Sequence, residues 1–140
     1  VITENTAFLM ANLLQGVVDE GTGRRLRFRY GFKNQIGGKT GTTQNHSDGW
    51  FIGITPDLAG GVWVGAEDRS IHFQNLANGQ GASMALPIWA LFMQKVYADK
   101  SLAVPQSDFQ KPNGVNHVLD CGDADREGMT DYDSSDEIFD

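Results

Sequence analysis

Three residues in the run GGKTGTTQNHSDGWF, Gly37 to Phe51, have the types and spacing to do chemistry. Lys39 follows two glycines, and Thr40 and Thr42 flank Gly41 directly behind it. Two chemistries use nearly these letters. A phosphate-binding loop needs a glycine five residues before the Gly-Lys-Thr, where this chain has Lys33, and a helix directly after the lysine. Neither requirement is met. In an extended strand, side chains alternate, so Thr40 and Thr42 project to one side and Lys39 to the other. On an edge strand bordering a cleft, two such hydroxyls can hold a carboxylate. The Thr42 N–H is then free to act as an oxyanion donor or to pair with an added peptide strand. Gly41 leaves room for that approach, and Lys39 places positive charge beside a hydroxyl that transfers a proton.

The surrounding pattern supplies the elements to position such a strand. TENTAFLMANLLQGVVDEG places Leu9, Met10, Leu13, Leu14, Val17 and Val18 at helical spacing, with Thr3 as N-cap and Gly21 as a left-handed C-terminal residue. In GTGRRLRFRYGFKNQ, Leu26, Phe28 and Tyr30 alternate with Arg25, Arg27 and Arg29, which predicts a short strand or an extended loop with a solvated arginine face. Three strands follow, in QIGGKTGTT, GWFIGIT and GGVWVGAED. Pro56-Asp57 and Gly60-Gly61 mark a tight antiparallel connection between the last two. Trp50, Ile52 and Ile54 fall on one face of the second strand and Phe51 on the other, so the sheet is expected to be covered on both sides. ASMALPIWALFMQKVYADK reads as the last helix, capped by Ser83, with Pro87 in its first turn and a broad apolar face. The expected class is α+β: a three-stranded antiparallel sheet flanked by an N-terminal and a C-terminal helix.

Length and charge set the bounds. The 140 residues, 40% of them hydrophobic, suit one domain with a modest core. Nine acids and one base fall within residues 120–140, leaving ten basic and nine acidic residues in the rest, so the net charge of −7 belongs to the tail. The division is therefore a folded portion over 1–119 and an acidic tail over 120–140, expected to be solvated and disordered. The balanced body gives no footprint for nucleic acid. The single cysteine, Cys121, cannot form an internal disulfide, and His46, His72 and His117 lack metal-ligand spacing, so no metal and no cofactor are expected. No stretch reads as a signal peptide or a membrane span, and the start at Val1, directly before a helical pattern, predicts a piece of a longer chain.

Lys-Thr-Gly is the third motif of the serine penicillin-recognising enzymes, beside Ser-x-x-Lys and Ser-x-Asn. With LLQGVVDEGTGRR before it, and FIGITPDLAGGVWVGAEDR and GQGASMALPIWALFMQKVY after it, the run resembles the C-terminal part of the transpeptidase domain of class A (bifunctional) penicillin-binding proteins, from about Thr3 to Asp120. The resemblance implies part of the penicillin-binding-protein and serine β-lactamase fold, and peptidoglycan cross-linking by serine acyl transfer from D-Ala-D-Ala stem peptides. It implies β-lactams as covalent inhibitors and a site on the extracytoplasmic face of the inner membrane of the bacterial envelope. By position it makes Lys39 and Thr42 catalytic, with Thr40, Gly41, Thr42 and Thr43 binding substrate and Asp48 fixing the turn behind them. The resemblance also implies that the third strand loses its neighbour in the isolated piece, so a homodimer through the exposed edge is expected.

None of the seven serines has Lys three residues later or Asn two residues later. The chain therefore holds one wall of such a site without its nucleophile, and is expected to be inactive alone. Two other readings stay open: a non-catalytic binding module on the same fold, and a β-lactamase or D,D-carboxypeptidase, which fits the Trp-Phe strand and the last helix less well.

Overall fold

The computed structural model describes residues 2–115, and the acidic tail expected from residue 120 lies outside them. The elements run α1 (Glu4–Asp19), α2 (Arg25–Phe28), β1 (Gly37–Thr42), a 3₁₀ turn (Gln44–His46), β2 (Asp48–Ile54), β3 (Ala59–Gly65), α3 (Leu76–Gly79) and α4 (Gly81–Ala98). The sheet is antiparallel in the order β1-β2-β3, with Lys39 opposite Ile52 and Trp50 opposite Trp63. The α+β architecture and all three strands stand as the sequence pattern indicates.

α1 begins where expected, with the Thr3 side chain accepting the Thr6 N–H at 3.3 Å. Its end differs. Gly21 does not adopt positive φ, which occurs instead at Gly31 (72°). Gly21 is needed for a close approach, because a Cβ there would lie 2.9 Å from the Val17 carbonyl oxygen.

The alternation after Gly23 misleads. Arg25–Phe28 form one helical turn in place of a strand or extended loop, and only Leu26 is buried. Side-chain contacts, near in sequence for Arg27 and far for Arg25, override the period of two. Arg27 donates to Asp19 at 2.7 Å and to the carbonyls of Phe32 and Asn34, while Arg25 donates to Ala82 O and Ser83 Oγ. Arg25 and Arg27 thus tie elements together and do not form a solvated face.

α4 lies across one face of the sheet and buries Ala85, Leu86, Trp89, Ala90 and Met93. Trp89 meets Phe51 edge-on at 5.4 Å, and it fits because β2 has Gly53 beneath it, where a Cβ would overlap the indole. The helix starts at Gly81, earlier than expected. Ser83 is therefore inside it and Gln80 is the N-cap residue, which puts Pro87 beyond the first turn. Ser83 Oγ accepts from Arg25 instead of capping.

The opposite face of the sheet meets α1 at its Gly37–Ile54 end and is open beyond that among the described residues. Trp50, Ile52 and Trp63 are 45%, 50% and 47% exposed, so the expectation of a doubly covered sheet is corrected. α1 packs beside β1, with its Leu14 against Gly37, and α4 takes the other face, which leaves these three side chains without a covering element. Both long helices also keep bare apolar positions: Met10 and Leu13 on α1, and Ile88, Leu91 and Phe92 on α4.

Candidate active site

β1 can approach its surroundings closely because it opens with two glycines. A Cβ on Gly37 would lie 3.0 Å from Leu14 Cβ, and one on Gly38 would lie 2.8 Å from the Phe51 ring. Among the described residues β1 is an edge strand, with β2 on one side only.

The hydrogen bonding then orients the backbone. Thr43 N–H donates to Asp48 O at 3.0 Å, which closes the β1–β2 hairpin. Because facing groups alternate in an antiparallel ladder, Gly41 and Lys39 also face β2, whereas the N–H groups of Thr40 and Thr42 point to the open edge. The side chains alternate too. Lys39 is exposed on the face of Trp50 and Ile52, and its Nζ donates to Thr40 O at 2.7 Å. On the α4 face, the Thr40 hydroxyl pairs with the Thr22 hydroxyl at 2.8 Å, and the Thr42 hydroxyl accepts the Gly81 N–H at 3.0 Å. The side missing at Gly41 is the one toward Trp50, whose Cβ would lie 3.2 Å from an added Cβ.

Thr43, expected beside these as a substrate contact, has its hydroxyl turned inward. It lies 2.9 Å from Ser47 Oγ and 3.1 Å from Asp48 Oδ2. Asp48 is the centre of a buried polar cluster that also takes bonds from Ser47 Oγ at 3.0 Å and from the Trp63 indole at 3.1 Å. Arg69 is 3.9 Å away. The Ser47 bond holds the carboxyl below its ordinary 3.8, burial works against it, and Trp63, Thr43 and Arg69 add to the lowering. Asp48 therefore fixes the turn behind the strand, and it does so as an anion.

Lys39, Thr40, Gly41 and Thr42 thus come together on one exposed edge. Thr22, Gly81, Ser47 and Arg25 were not legible as partners from the sequence. Thr22 and Gly81 each reach the strand from a distant element through one hydrogen bond, Arg25 braces the start of α4 behind them, and Ser47 is nearby in the turn, so none of the four leaves a period or motif to read. Among the described residues no three His, Cys, Asp or Glu side chains gather as a metal site, and no helix is long and apolar enough to cross a membrane.

Residues 1–84 match the family described as the penicillin binding protein transpeptidase domain. Penicillin-binding protein 1A of Pseudomonas aeruginosa is 36% identical over 117 residues, which cover 82% of this chain and 13% of that protein. Penicillin-binding protein 1A of Aquifex aeolicus is 36% identical over 101 residues, 72% of this chain and 12% of that protein. The chain thus spans about an eighth of the length of these relatives. The crystal structure of penicillin-binding protein 1A from Haemophilus influenzae aligns with a TM-score of 0.66 at 30% identity, covering 81% of this chain and 17% of that one.

Proposed function

The chain belongs to the penicillin-binding protein transpeptidase family, and from that premise we propose that it forms the Lys-Thr-Gly wall of a serine D,D-transpeptidase site. The observation that carries this reading is the outer edge of β1, where the outward N–H of Thr42 stands beside the hydroxyls of Thr40 and Thr42. In the reaction a serine hydroxyl attacks the carbonyl of the penultimate D-Ala of a stem peptide. Its proton passes through a neighbouring group to the amine of the departing D-Ala. The Thr42 N–H stabilises the oxyanion that forms, Lys39 supplies positive charge to the proton transfer, and the two hydroxyls hold the terminal carboxylate. An amine from a second stem peptide then attacks the acyl-enzyme and releases the serine. Gly41 keeps the strand close to Trp50, and Thr43 acts through the turn.

The serine and its base belong to another part of the complete protein, because this chain has no Ser-x-x-Lys. Residues 1–119 are the contribution to that domain, with the acidic stretch from 120 onward dispensable to it. The setting is the bacterial envelope, on the outer side of the inner membrane, with stem peptides and β-lactams as ligands.

Fluorescent penicillin tests the reading. The complete protein takes up one label that survives denaturation, Lys39→Ala slows labelling by about a hundredfold or more, and the 140-residue chain alone takes up none. Stoichiometric labelling of the chain alone would place a nucleophile within it. A complete protein that takes no label would favour a non-catalytic binding module.

A further inference from the structure

Thr22 lies in the loop between α1 and α2, away from the Lys-Thr-Gly run, yet its hydroxyl meets that of Thr40 at 2.8 Å. A hydroxyl has one proton to give and two lone pairs to receive with. The Thr42 oxygen already accepts the Gly81 N–H, so its own proton is free to be donated outward. The Thr40 proton is equally free when Thr22 is the donor in their pair. Both strand hydroxyls then present O–H groups, the polarity an incoming carboxylate requires.

The loop is built to hold Thr22 still. Gly21 and Gly23 on either side press against α1, where a Cβ on either would lie 2.9 or 3.1 Å from the Val17 carbonyl oxygen. Gly23 N–H donates to that same oxygen at 2.9 Å. Arg25 then fastens the loop to the start of α4 through Ala82 O and Ser83 Oγ, each at 3.0 Å. Thr22 and Gly81, which reach Thr40 and Thr42 respectively, therefore belong to one braced frame. A cavity of about 400 Å³ opens there, lined by Thr22, Arg24, Arg25 and Gln80, and its two arginines bring positive charge to the approach of an anion.

We propose that Thr22 is a positioning residue: it donates to the Thr40 hydroxyl and so sets that hydroxyl as a donor to the substrate carboxylate. The proposal rests on the transpeptidase reading and adds a residue outside the Lys-Thr-Gly run to the carboxylate site.

The test uses the complete protein and two forms of one fluorescent penicillin, the free acid and the methyl ester of its ring carboxylate. Thr22→Val is expected to slow acylation by the acid about three- to tenfold, the worth of one hydrogen bond, and to leave the slower reaction of the ester unchanged. Thr22→Ser restores the rate with the acid. Because the acid-to-ester ratio is taken on the same molecules, a loss of folded protein does not mimic the effect. Equal slowing with acid and ester would make Thr22 a structural residue and overturn the proposal, as would no slowing with either. Failure of the unsubstituted protein to label would overturn the transpeptidase reading, and this proposal with it.

Discussion

The Thr42 hydroxyl accepts the Gly81 N–H at 3.0 Å, so the edge strand of the sheet is tied to the first residue of the longest helix. An orphan donor of the helix start is satisfied by the strand, and the strand hydroxyl is oriented by the helix. The contact depends on close approach. A Cβ on Gly81 would overlap the carbonyl oxygens of both Gly41 and Trp50, which are backbone atoms that cannot swing aside.

Gly81→Ala is therefore expected to push α4 off the strand. Overpacking of this kind costs about 1–3 kcal/mol, which urea unfolding followed by tryptophan fluorescence would register. In the complete protein the same change should slow acylation by penicillin, since Thr42 loses its partner. Thr42→Ser keeps the hydroxyl and should keep the rate. Unchanged stability in Gly81→Ala would contradict the packing described here.

Asp48 gives a pH signature. Its folded pKa lies below the ordinary 3.8, chiefly through Ser47, so the unfolded chain takes up the proton first as pH falls. The stabilisation is complete above that ordinary value and disappears as pH drops through the folded value. Asp48→Asn should thus be less stable than the unsubstituted chain at pH 7, with the gap closing below about pH 4. Parallel urea titrations from pH 7 to pH 3 check this, and a gap independent of pH would rule out an ionised Asp48 as the source.

The core rests on a tryptophan over a glycine. Trp89 is 2% exposed and lies against Gly53, so Gly53→Ala should cost about 1–3 kcal/mol by overpacking. Trp89→Ala should cost about 3–5 kcal/mol through the cavity it leaves. Combining the two should cost less than their sum, because the alanine methyl enters the space the ring vacates. Strict additivity in a double-mutant cycle would show that the two positions do not share that space.

The strands were legible because Gly and Pro punctuate them and their apolar positions alternate, as Trp50, Ile52 and Ile54 show against Phe51. Lys39, Thr40, Gly41 and Thr42 were legible as a strand motif for the same reason. What failed were features decided by partners that the period does not reveal. Arg25 and Arg27 look solvated until Ala82, Ser83, Asp19 and Phe32 are brought beside them. Ser83 looks like a helix cap until the space over Gly41 draws Gly81 in and the cap moves three residues earlier, to Gln80. Thr22 has no local sign of its role, since its partner is eighteen residues away in another element.

β3 has no strand partner beyond it among the described residues. Thr55 N–H donates to Leu58 O at 2.7 Å at the head of the β2–β3 hairpin. By alternation Gly60, Val62 and Val64 face β2, and the backbone groups of Gly61 and Trp63 point to the outer edge. Trp50, Ile52 and Trp63 lie on the adjoining bare face, so a second chain that pairs with this edge can also bury apolar surface. The chain on its own is accordingly expected to self-associate, with the dimer fraction rising with concentration. Gly61→Lys is the discriminating variant. A Cβ at Gly61 meets only Ile52 Cγ1 at 3.5 Å, an ordinary contact, so the side chain fits without straining the monomer. Its charge then opposes pairing at the edge, where natural sheets use lysine for this purpose. Light scattering across a concentration series should show the unsubstituted chain growing in mass and the lysine variant staying closer to a monomer, with similar melting temperatures at low concentration. A chain that remains monomeric throughout would refute the exposed-edge argument, and equal association of both would move the contact to the bare helix faces at Leu13 or Phe92.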